Sequence, residues 1–208
     1  MTEATASPAG RAAAGARRKS AQDRRAELVG IGLRLLVDTP IHELSIDRVA
    51  EQAGISRGLL FHYFDTKTDY YVAVVVAASR RMLDQARDPG KGGSRDRLRA
   101  ITTGYVAFIR RRTRNYVSLV RGGAGGDERV VGAFRDARTE LAERIVHAAG
   151  ITDPTPWQIM TVRGWLAMGE EIAIESTRCE VTTAEVVETL LDQLASTLAV
   201  VSETTPRR

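Results

Sequence analysis

The sequence predicts an all-α fold of about nine helices. Apolar residues recur every three or four positions through most of the chain, which is the spacing of a helix with one buried face. The strict alternation of apolar and polar residues that marks a half-buried strand is almost absent. Short links that contain Gly, Pro or a capping residue separate the helical stretches. Together these features favour a helical protein without a sheet.

Length and composition narrow the class. With 208 residues, the chain fits one domain of ordinary size, or a small module fused to a larger one, and it can bury a core without disulfides or metal. It has one cysteine, Cys179, and no N-terminal apolar leader, so we expect a cytoplasmic protein. The longest apolar run, residues 70–78, is far shorter than the roughly 20 residues that a membrane span needs.

Caps and breakers set the predicted helix boundaries. Pro40 stops the first helix, Ser45 offers an N-cap oxygen to the second, and Thr66 with Asp69 forms a capping box for the fourth. We predict helices over residues 21–38, 46–52, a two-turn stretch from about 56, 67–87, 95–111, 115–120, 127–149, 156–178 and 183–201.

The positive charge of the chain is concentrated at its start. The formal net charge is +4, and residues 1–25 account for all of it. This segment contains two acidic residues, Glu3 and Asp23, and six basic residues, namely Arg11, Arg17, Arg18, Lys19, Arg24 and Arg25. Residues 1–19 lack periodicity, so we expect a disordered basic arm. Such an arm either contacts nucleic acid or only keeps the chain in solution, and the sequence leaves both roles open.

The segment GISRGLLFHYFDTK, residues 54–67, carries large side chains on more than one side of a short helix. Leu60 and Phe64 lie one helical turn apart, so they share a face. We expect this face to pack against Val49, Ile55 and the first helix. It anchors the short helix to the protein.

The opposite side of the short helix has no apolar partner in the sequence pattern. This side and its flanks hold Arg57, Gly58, Phe61, His62 and Tyr63. A helix, a tight turn at Gly54 and a second helix form the motif whose second helix enters the major groove of DNA. We therefore predict a nucleic-acid interface here.

Each residue type on that side has a use in binding DNA and an ordinary alternative. Arg57 can pair with O6 and N7 of guanine, or it can be a solvated arginine. Gly58 allows close approach of the backbone, or it is only a tolerated weak point early in the helix. Phe61 can touch a thymine methyl group or pack on the first helix. His62 and Tyr63 can donate to phosphates, although a lone exposed histidine often has no role.

Two further residues begin helices. Ser45 and Lys67 stand where backbone N–H groups and the helix dipole favour an anion. We expect a DNA phosphate at either position.

The segment LSIDRVAEQAGISRGLLFHYFDTKTDYYVAV, residues 44–74, resembles the DNA-binding region of the tetracycline-repressor (TetR) family of bacterial transcription regulators. The run from Gly54 to Gly58, followed by Leu60, the triplet His62 to Phe64 and Lys67, is similar to the recognition-helix signature of that family at each position. The resemblance covers about fifty residues.

The resemblance implies a helix-turn-helix DNA-binding domain over residues 20–66 and a helical ligand-binding and dimerisation domain over residues 67–203, connected by the helix at 67–87. It also implies the residues that face DNA, namely Ser45, Ser56, Arg57, Gly58, Phe61, His62, Tyr63 and Lys67. Two positions depart from the family pattern. Phe61 stands where a tyrosine is usual, and Leu59 replaces a small polar residue. We include Leu59 among the expected DNA contacts.

The last two predicted helices carry wide apolar faces. The final helix has a stripe that consists of Val187, Leu190, Leu191, Leu194, Leu198 and Val201. The helix before it mixes Trp157, Met160, Trp165, Leu166, Met168 and Ile172 with small residues. Two such helices from each of two copies would form a four-helix bundle, so we predict a homodimer through them. A purely internal core is the alternative.

A group of apolar residues in the C-terminal region is a candidate for a ligand pocket. Its members are Tyr105, Phe108, Ile109, Tyr116, Leu119, Phe134, Trp165 and Met168. Ordinary core packing also accounts for each of them. The charged residues Glu170, Glu171, Glu175 and Arg163 belong either to the pocket or to a solvated edge. The segment RGGAGGDER, residues 121–129, lacks the lysine of a phosphate loop and is interpreted as a connector.

Catalytic signatures are missing from the sequence. It contains no His-Glu-x-x-His motif, and His42, His62 and His147 are scattered. Its one Gly-x-Ser-x-Gly match, residues 54–58, lies between two predicted helices and not at the end of a strand, where a nucleophilic serine would be expected. We expect no enzyme activity, no metal and no cofactor. The expected function is a homodimeric repressor that binds a palindromic operator in double-stranded DNA and is released by a small, largely apolar inducer. The alternatives are a constitutive or architectural DNA-binding protein, and an all-helical small-molecule-binding enzyme.

Overall fold

The helices dominate the computed structural model, which describes residues 20–37, 39, 43–113 and 127–204. Within these ranges there are eight α-helices and no strand. The helices are α1 Ala21–Leu35, α2 Ile46–Ala53, α3 Arg57–Phe61, α4 Lys67–Gln85, α5 Ser94–Arg111, α6 Glu128–Ala148, α7 Pro156–Glu175 and α8 Thr183–Thr204, with a short 3-10 turn at Ser176–Arg178 after α7. The all-α prediction is confirmed.

Side-chain caps start the N-terminal helices where the sequence predicts them. The hydroxyl groups of Ser45 and Thr66 accept hydrogen bonds from the backbone N–H groups of Arg48 and Asp69, at 3.4 Å and 3.1 Å. Ser20 begins α1 with a complete capping box. These bonds satisfy N–H groups that have no partner inside their own helix, so the first turn of each helix is stabilised locally.

The first hydrophobic core joins α1, α2, α3 and the N-terminal half of α4. Its centre is Tyr70, which is fully buried and donates a hydrogen bond from its hydroxyl to the carbonyl oxygen of Leu28 at 2.9 Å. The ring of Phe64 meets the ring of Tyr70 edge to face, with 5.0 Å between centroids. The helix crossing is close because residue 32 is glycine: a Cβ there would lie 2.5 Å from the Tyr70 hydroxyl oxygen.

The second core is larger and joins the C-terminal end of α4 to α5, α6, α7 and α8. Gly104 lets α5 approach the end of α4, since a Cβ at this position would lie 1.9 Å from the carbonyl oxygen of Gln85. On the other side of the core, the indole N–H of Trp165 donates to the carbonyl oxygen of Leu190 at 3.0 Å. The described C-terminal helices therefore form one packed bundle.

Helix α4 belongs to both cores. Tyr70, Val74 and Val75 lie in the first core, whereas Met82 and Leu83 lie in the second. The predicted domain boundary between residues 66 and 67 falls at the start of α4, but the first core continues past this point along the helix. One continuous helix, α4, therefore packs into both regions and connects them.

The start of α6 also reaches the first core. Val130 is buried among the residues of that core, and the Arg129 guanidinium forms an ion pair with the Asp69 carboxylate at 2.6 Å. Hydrogen bonds from the Thr66 hydroxyl and from Arg129 hold the pKa of Asp69 below its usual value. A second contact between the two regions therefore runs beside α4.

Several helix ends differ from the prediction. Helix α1 ends at Leu35 rather than at residue 38, and α4 ends at Gln85 rather than at residue 87. The predicted helix at 156–178 ends at Glu175 and continues as the 3-10 turn. Apolar periodicity continues past the last hydrogen-bonded turn in α1, because Leu36 is buried after the helix has ended.

Three sequence-based predictions fall outside the described residues. They are the arm at 1–19, the helix at 115–120, and the stop at Pro40. Most of the connector at 121–129 also lies there. None of the described helices combines the length and the apolar character that crossing a membrane requires.

Candidate nucleic-acid interface

The turn between α2 and α3 is built around one left-handed residue. Gly54 follows α2 with φ 64° and ψ 36°, and its N–H donates to the carbonyl oxygens of Ala50 and Glu51. Glycine adopts this conformation without the steric cost of a Cβ. The Ser56 hydroxyl then accepts a hydrogen bond from Leu59 N–H at 3.2 Å and begins α3. The chain therefore reverses sharply and starts a new helix within three residues.

Two residues hold α3 against the protein. Leu60 and Phe64 are both buried in the first core, as their spacing predicts. The Arg25 guanidinium lies over the ring of Phe64, 4.7 Å from its centroid. Complete burial of two large apolar side chains fixes the rotation of a short helix that has little stability of its own.

The rest of α3 and its two ends are accessible to a partner. Of the residues predicted to face DNA, Ser45, Ser56, Arg57, Gly58, Leu59, His62 and Lys67 are exposed, while Phe61 and Tyr63 are half-buried. Phe61 and Tyr63 pack partly against the first core, which agrees with the packing alternative for Phe61. The accessible side presents a guanidinium, an imidazole and a leucine side chain on one short helix.

Arg57 has a protein partner that the sequence did not reveal. Its Nη1 donates to both carboxylate oxygens of Asp47 on α2, each at 3.2 Å. Its guanidinium carbon also lies 5.6 Å from the centroid of the Phe61 ring. Both members of the ion pair are more than half exposed. The arginine is therefore oriented by α2 while it stays open to solvent.

Further aromatic residues make contacts just after α3 and at the start of α4. The rings of His62 and Tyr63 meet edge to face, with 5.6 Å between centroids. The Lys67 ammonium lies 5.1 Å from the centroid of the Tyr71 ring. The Tyr71 hydroxyl in turn donates to the carbonyl oxygen of Leu44 at 2.5 Å. The start of α4 is thereby tied to the residues that precede α2.

The predicted pocket residues are only partly brought together. Tyr105, Phe108, Ile109 and Trp165 are buried in the second core, and Phe134 is half-buried and contacts both cores. Met168 does not join them, because it lies on the outer side of α7 with 38% of its surface exposed. Tyr116 and Leu119 lie outside the described residues.

A buried polar network lies beside these residues. The carboxylate of Glu170, which is only 3% exposed, accepts a hydrogen bond from the Tyr105 hydroxyl at 2.6 Å. Arg138 of α6 forms an ion pair with the same carboxylate. Glu170 was predicted to belong either to the pocket or to a solvated edge, and its burial excludes the solvated edge, whereas its partners Tyr105 and Arg138 are too distant in sequence to be predicted. The network connects α5, α6 and α7 through the interior.

Two grooves lie along α4. One, with a cavity volume of about 840 Å³, runs between α1 and α4. The other, of about 460 Å³, runs between α4 and α6. Both are lined by Val76, Arg80 and Arg129. Within the described residues, no cluster of three or more His, Cys, Asp or Glu side chains could hold a metal ion.

The stripe on the final helix has an internal role. Val187, Leu190, Leu191 and Leu194 are buried within the chain, against α5 and α7. Two helices of the same chain thus cover these four residues, which agrees with the internal-core alternative for this part of the stripe, while Leu198 is only partly buried. The exposed apolar residues of this region lie instead on α7 and include Trp157, Met160 and Met168.

Comparison with family models decides the classification. Residues 31–74 match the model described as "Bacterial regulatory proteins, tetR family", and residues 94–200 match the model described as "Tetracyclin repressor-like, C-terminal domain". The chain belongs to the TetR family. Members of this family are transcriptional regulators rather than enzymes, which removes the enzyme alternative. TetR regulators bind DNA and typically form dimers.

Curated relatives are similar over part of the chain. The transcriptional activator FasR of Mycolicibacterium smegmatis is 29% identical over 101 residues, which are 45% of this chain and 44% of FasR. The regulator EthR of Mycobacterium tuberculosis is 36% identical over 90 residues, which are 41% of this chain and 38% of EthR. Each match spans less than half the length of the relative.

Solved structures of TetR regulators share the fold over most of the chain. A TetR-family regulator from Streptomyces coelicolor superposes with a TM-score of 0.78 at 28% identity, covering 88% of this chain and 84% of that one. A TetR-like regulator from Rhodococcus sp. RHA1 gives a TM-score of 0.64 at 22% identity, covering 88% and 99% of the two chains. At 22% identity, the similarity to the Rhodococcus structure shows a shared fold and nothing more.

Proposed function

We propose that this TetR-family chain is a cytoplasmic, homodimeric repressor that binds a palindromic operator and is released by a small, largely apolar molecule. The observation that carries this proposal is the arrangement of α3. Buried Leu60 and Phe64 fix the helix, and Arg57, Gly58 and Leu59 stay exposed on it. A short helix held in this way after a tight turn has the geometry of a recognition helix in the major groove.

The residues around α3 have distinct roles in this proposal. Arg57 donates to the edge of a guanine, and Leu59 and Phe61 contact bases or thymine methyl groups. Ser45, Ser56, His62, Tyr63 and Lys67 contact phosphates and, with Gly58 allowing close approach, set the position of the helix on the duplex. The basic residues at 1–19 strengthen binding in this proposal through their charge alone.

The proposed dimer uses the last two helices. Trp157, Met160 and Met168 on α7 are 51%, 54% and 38% exposed, and their spacing places them along one side of the helix together with Gly164. Contiguous exposed apolar residues of this size mark a surface for a partner. A twofold copy of the same surface, supported by α8, would cover them and would place two copies of α3 about 34 to 36 Å apart.

The proposed release mechanism uses the two contacts between the regions. A ligand beside Phe108, Ile109 and Trp165 would displace α6 or the end of α4. The displacement would reach α3 through α4, and through the contacts of Arg129 and Val130 with the first core. The ligand must bind more tightly to the arrangement that cannot bind DNA, since equal affinity for both arrangements shifts nothing.

An activator is the second candidate function. FasR, which is similar over 101 residues, is named a transcriptional activator. The third candidate is a constitutive DNA-binding protein, whose operator affinity no ligand would change.

The proposal is tested by selecting fragments of the source genome that the purified chain retains, and by measuring transcription from those fragments with and without the protein. We expect a palindromic site whose transcription falls when the protein is present. The variant Arg57→Ala should lose the site, while Arg178→Ala should keep it. Arg178 is a matched control because it is also exposed and paired, in its case with Glu175 at 2.8 Å. Increased transcription would favour the activator.

A further inference from the structure

A buried arginine without a counter-ion lies at the C-terminal end of α5. Arg112 is only 9% exposed, and its Nη1 is buried without a hydrogen-bond partner. Its guanidinium carbon lies over the ring of Phe108, 4.3 Å from the centroid. No ion pair involves Arg112 in the part of the chain that the structure describes. A buried guanidinium normally forms ion pairs or several hydrogen bonds, so this side chain lacks its usual partners.

The surroundings of Arg112 add positive charge instead of compensating it. Burial, and then the charges of Arg81 and Arg111, lower the pKa of the Arg112 guanidinium. Residues 114–126, which follow in the sequence, contain no Asp or Glu, so that segment cannot supply a carboxylate. The positive charge is therefore available to an anion from outside the chain.

Arg112 also lies next to the residues of the proposed ligand pocket. Phe108 and Ile109 precede it by one helical turn, so the three side chains share one face of α5. Both are buried in the second core. Apolar core side chains thus lie next to a buried positive group, and an amphipathic molecule with one negative end would be complementary to this arrangement.

We propose that Arg112 binds the carboxylate of the inducer, whose apolar part packs beside Phe108 and Ile109. The planar guanidinium pairs with a planar carboxylate through parallel N–H···O bonds, which is the strong form of this contact. A monoanion neutralises the single positive charge of Arg112, whereas a phosphate dianion would leave one negative charge without a partner. This inference rests on the proposed ligand-responsive function and assigns its ligand class, an organic carboxylate with an apolar tail.

The test uses the purified full chain with octanoate, its uncharged match 1-octanol, and inorganic phosphate. Octanoate should raise the Tm of the wild-type protein in a saturable way beyond the effect of chloride at equal ionic strength, and it should weaken operator binding. Octanol and phosphate should have much smaller effects. Arg112→Met should lower the apparent octanoate affinity by at least about tenfold, because a charge-assisted contact is lost. Arg111→Met, which removes an exposed charge next to it, should bind octanoate like the wild type.

The ligand-free variants provide a second measurement. Arg112→Met should be at least as stable as the wild type, since an unpaired buried charge is removed. Arg112→Lys keeps the charge without the planar fork and should bind octanoate more weakly than the wild type. The inference would be overturned if octanoate raised the Tm no more than octanol or chloride does. It would also be overturned if the Tm shift with octanoate persisted in Arg112→Met. A large loss of stability in ligand-free Arg112→Met would overturn the inference as well, since it would give the arginine a role in folding. Operator retention without any ligand tests the proposed function separately.

Discussion

Nη1 of Arg57 on α3 donates to both carboxylate oxygens of Asp47 on α2, each at 3.2 Å. The pair crosses the turn at Gly54 and joins the two helices of the helix-turn-helix on their exposed side. An exposed pair of this kind contributes at most about 1 kcal/mol to stability. Its greater effect is on the orientation of the arginine, because the carboxylate restricts the positions that the guanidinium can occupy before DNA arrives.

Arg57 and Lys67 are expected to differ in how they contribute to DNA binding. Arg57→Ala should weaken the free energy of operator binding by about 1 to 3 kcal/mol, since a contact to a base edge is lost. The variant should also discriminate less between bases at one position of the operator. Lys67→Ala should weaken binding to all DNA sequences evenly, because a phosphate contact is lost. The slope of log affinity against log salt concentration should fall in magnitude by about one. Titration of single-base operator variants at several salt concentrations measures both effects. An even loss in Arg57→Ala would make that residue a phosphate contact.

Asp47→Asn should alter specificity more than stability. The substitution removes a negative charge beside the proposed DNA surface, so we expect binding to random duplex to become tighter. The released guanidinium can reach more positions, so the ratio of operator affinity to random-sequence affinity should fall, by up to about fivefold for a pair worth about 1 kcal/mol. Competition between operator and random duplex gives this ratio. The exposed residue Asp192, which pairs with Arg95 at 2.9 Å, provides the matched control Asp192→Asn. An unchanged ratio would show that Asp47 does not orient Arg57.

Gly32→Ala should destabilise the first core by about 1 to 3 kcal/mol, because the new Cβ overpacks the crossing of α1 and α4. The Cβ would lie 2.5 Å from the Tyr70 hydroxyl oxygen and 2.6 Å from Cγ2 of Val74. The gain in helix propensity of about 1 kcal/mol offsets only part of the overpacking cost. Tyr70→Phe removes the hydroxyl oxygen, one of these two close atoms. Gly32→Ala should therefore lower the free energy of unfolding by less in the Tyr70→Phe protein than in the wild type. Urea unfolding of the four proteins measures the difference, and equal costs in both backgrounds would contradict the close approach.

Asp88 should contribute stability that disappears in acid. Hydrogen bonds from the Arg97 guanidinium, with Nε at 3.0 Å from the carboxylate, lower the pKa of Asp88 from 3.8 to about 2. A folded-state pKa below the unfolded value stabilises the protein above that unfolded value, and the contribution is lost as the pH falls through the folded value. The difference in unfolding free energy between the wild type and Asp88→Asn should therefore shrink from about pH 4 to about pH 2. A difference that is constant over this range would show that the ion pair is absent in solution.

The parts of the fold that depend on local chemistry were predictable from the sequence. The caps at Ser45 and Thr66 act within one turn of their helices, and both are found where the sequence puts them. The burial of Leu60 and Phe64 follows from their angular positions on a short helix. Helix ends were less accurate, because residues such as Leu36 continue the apolar pattern after the last turn.

Contacts between distant segments were not predictable in the same way. Asp47 is ten residues from Arg57, and Glu170 is 32 residues from Arg138, so no local pattern connects either pair. Periodicity shows that a helix has an apolar face but not which neighbour covers it. For this reason Met168 was expected in a pocket but is exposed, and four of the six stripe residues of the final helix, for which we predicted a dimer contact, are buried within the chain.

DNA binding as a dimer is measured by titrating the purified chain onto a genomic operator at low salt and determining the number of protein chains per duplex from the mass of the complex. We expect two chains on a palindromic site whose half-sites are one helical turn of DNA apart. Met160→Asp, placed on the exposed side of α7, should abolish the two-chain complex while leaving α3 folded. A protein that stays a single chain in solution and retards no duplex from its own genome would show that it is not a dimeric DNA-binding regulator.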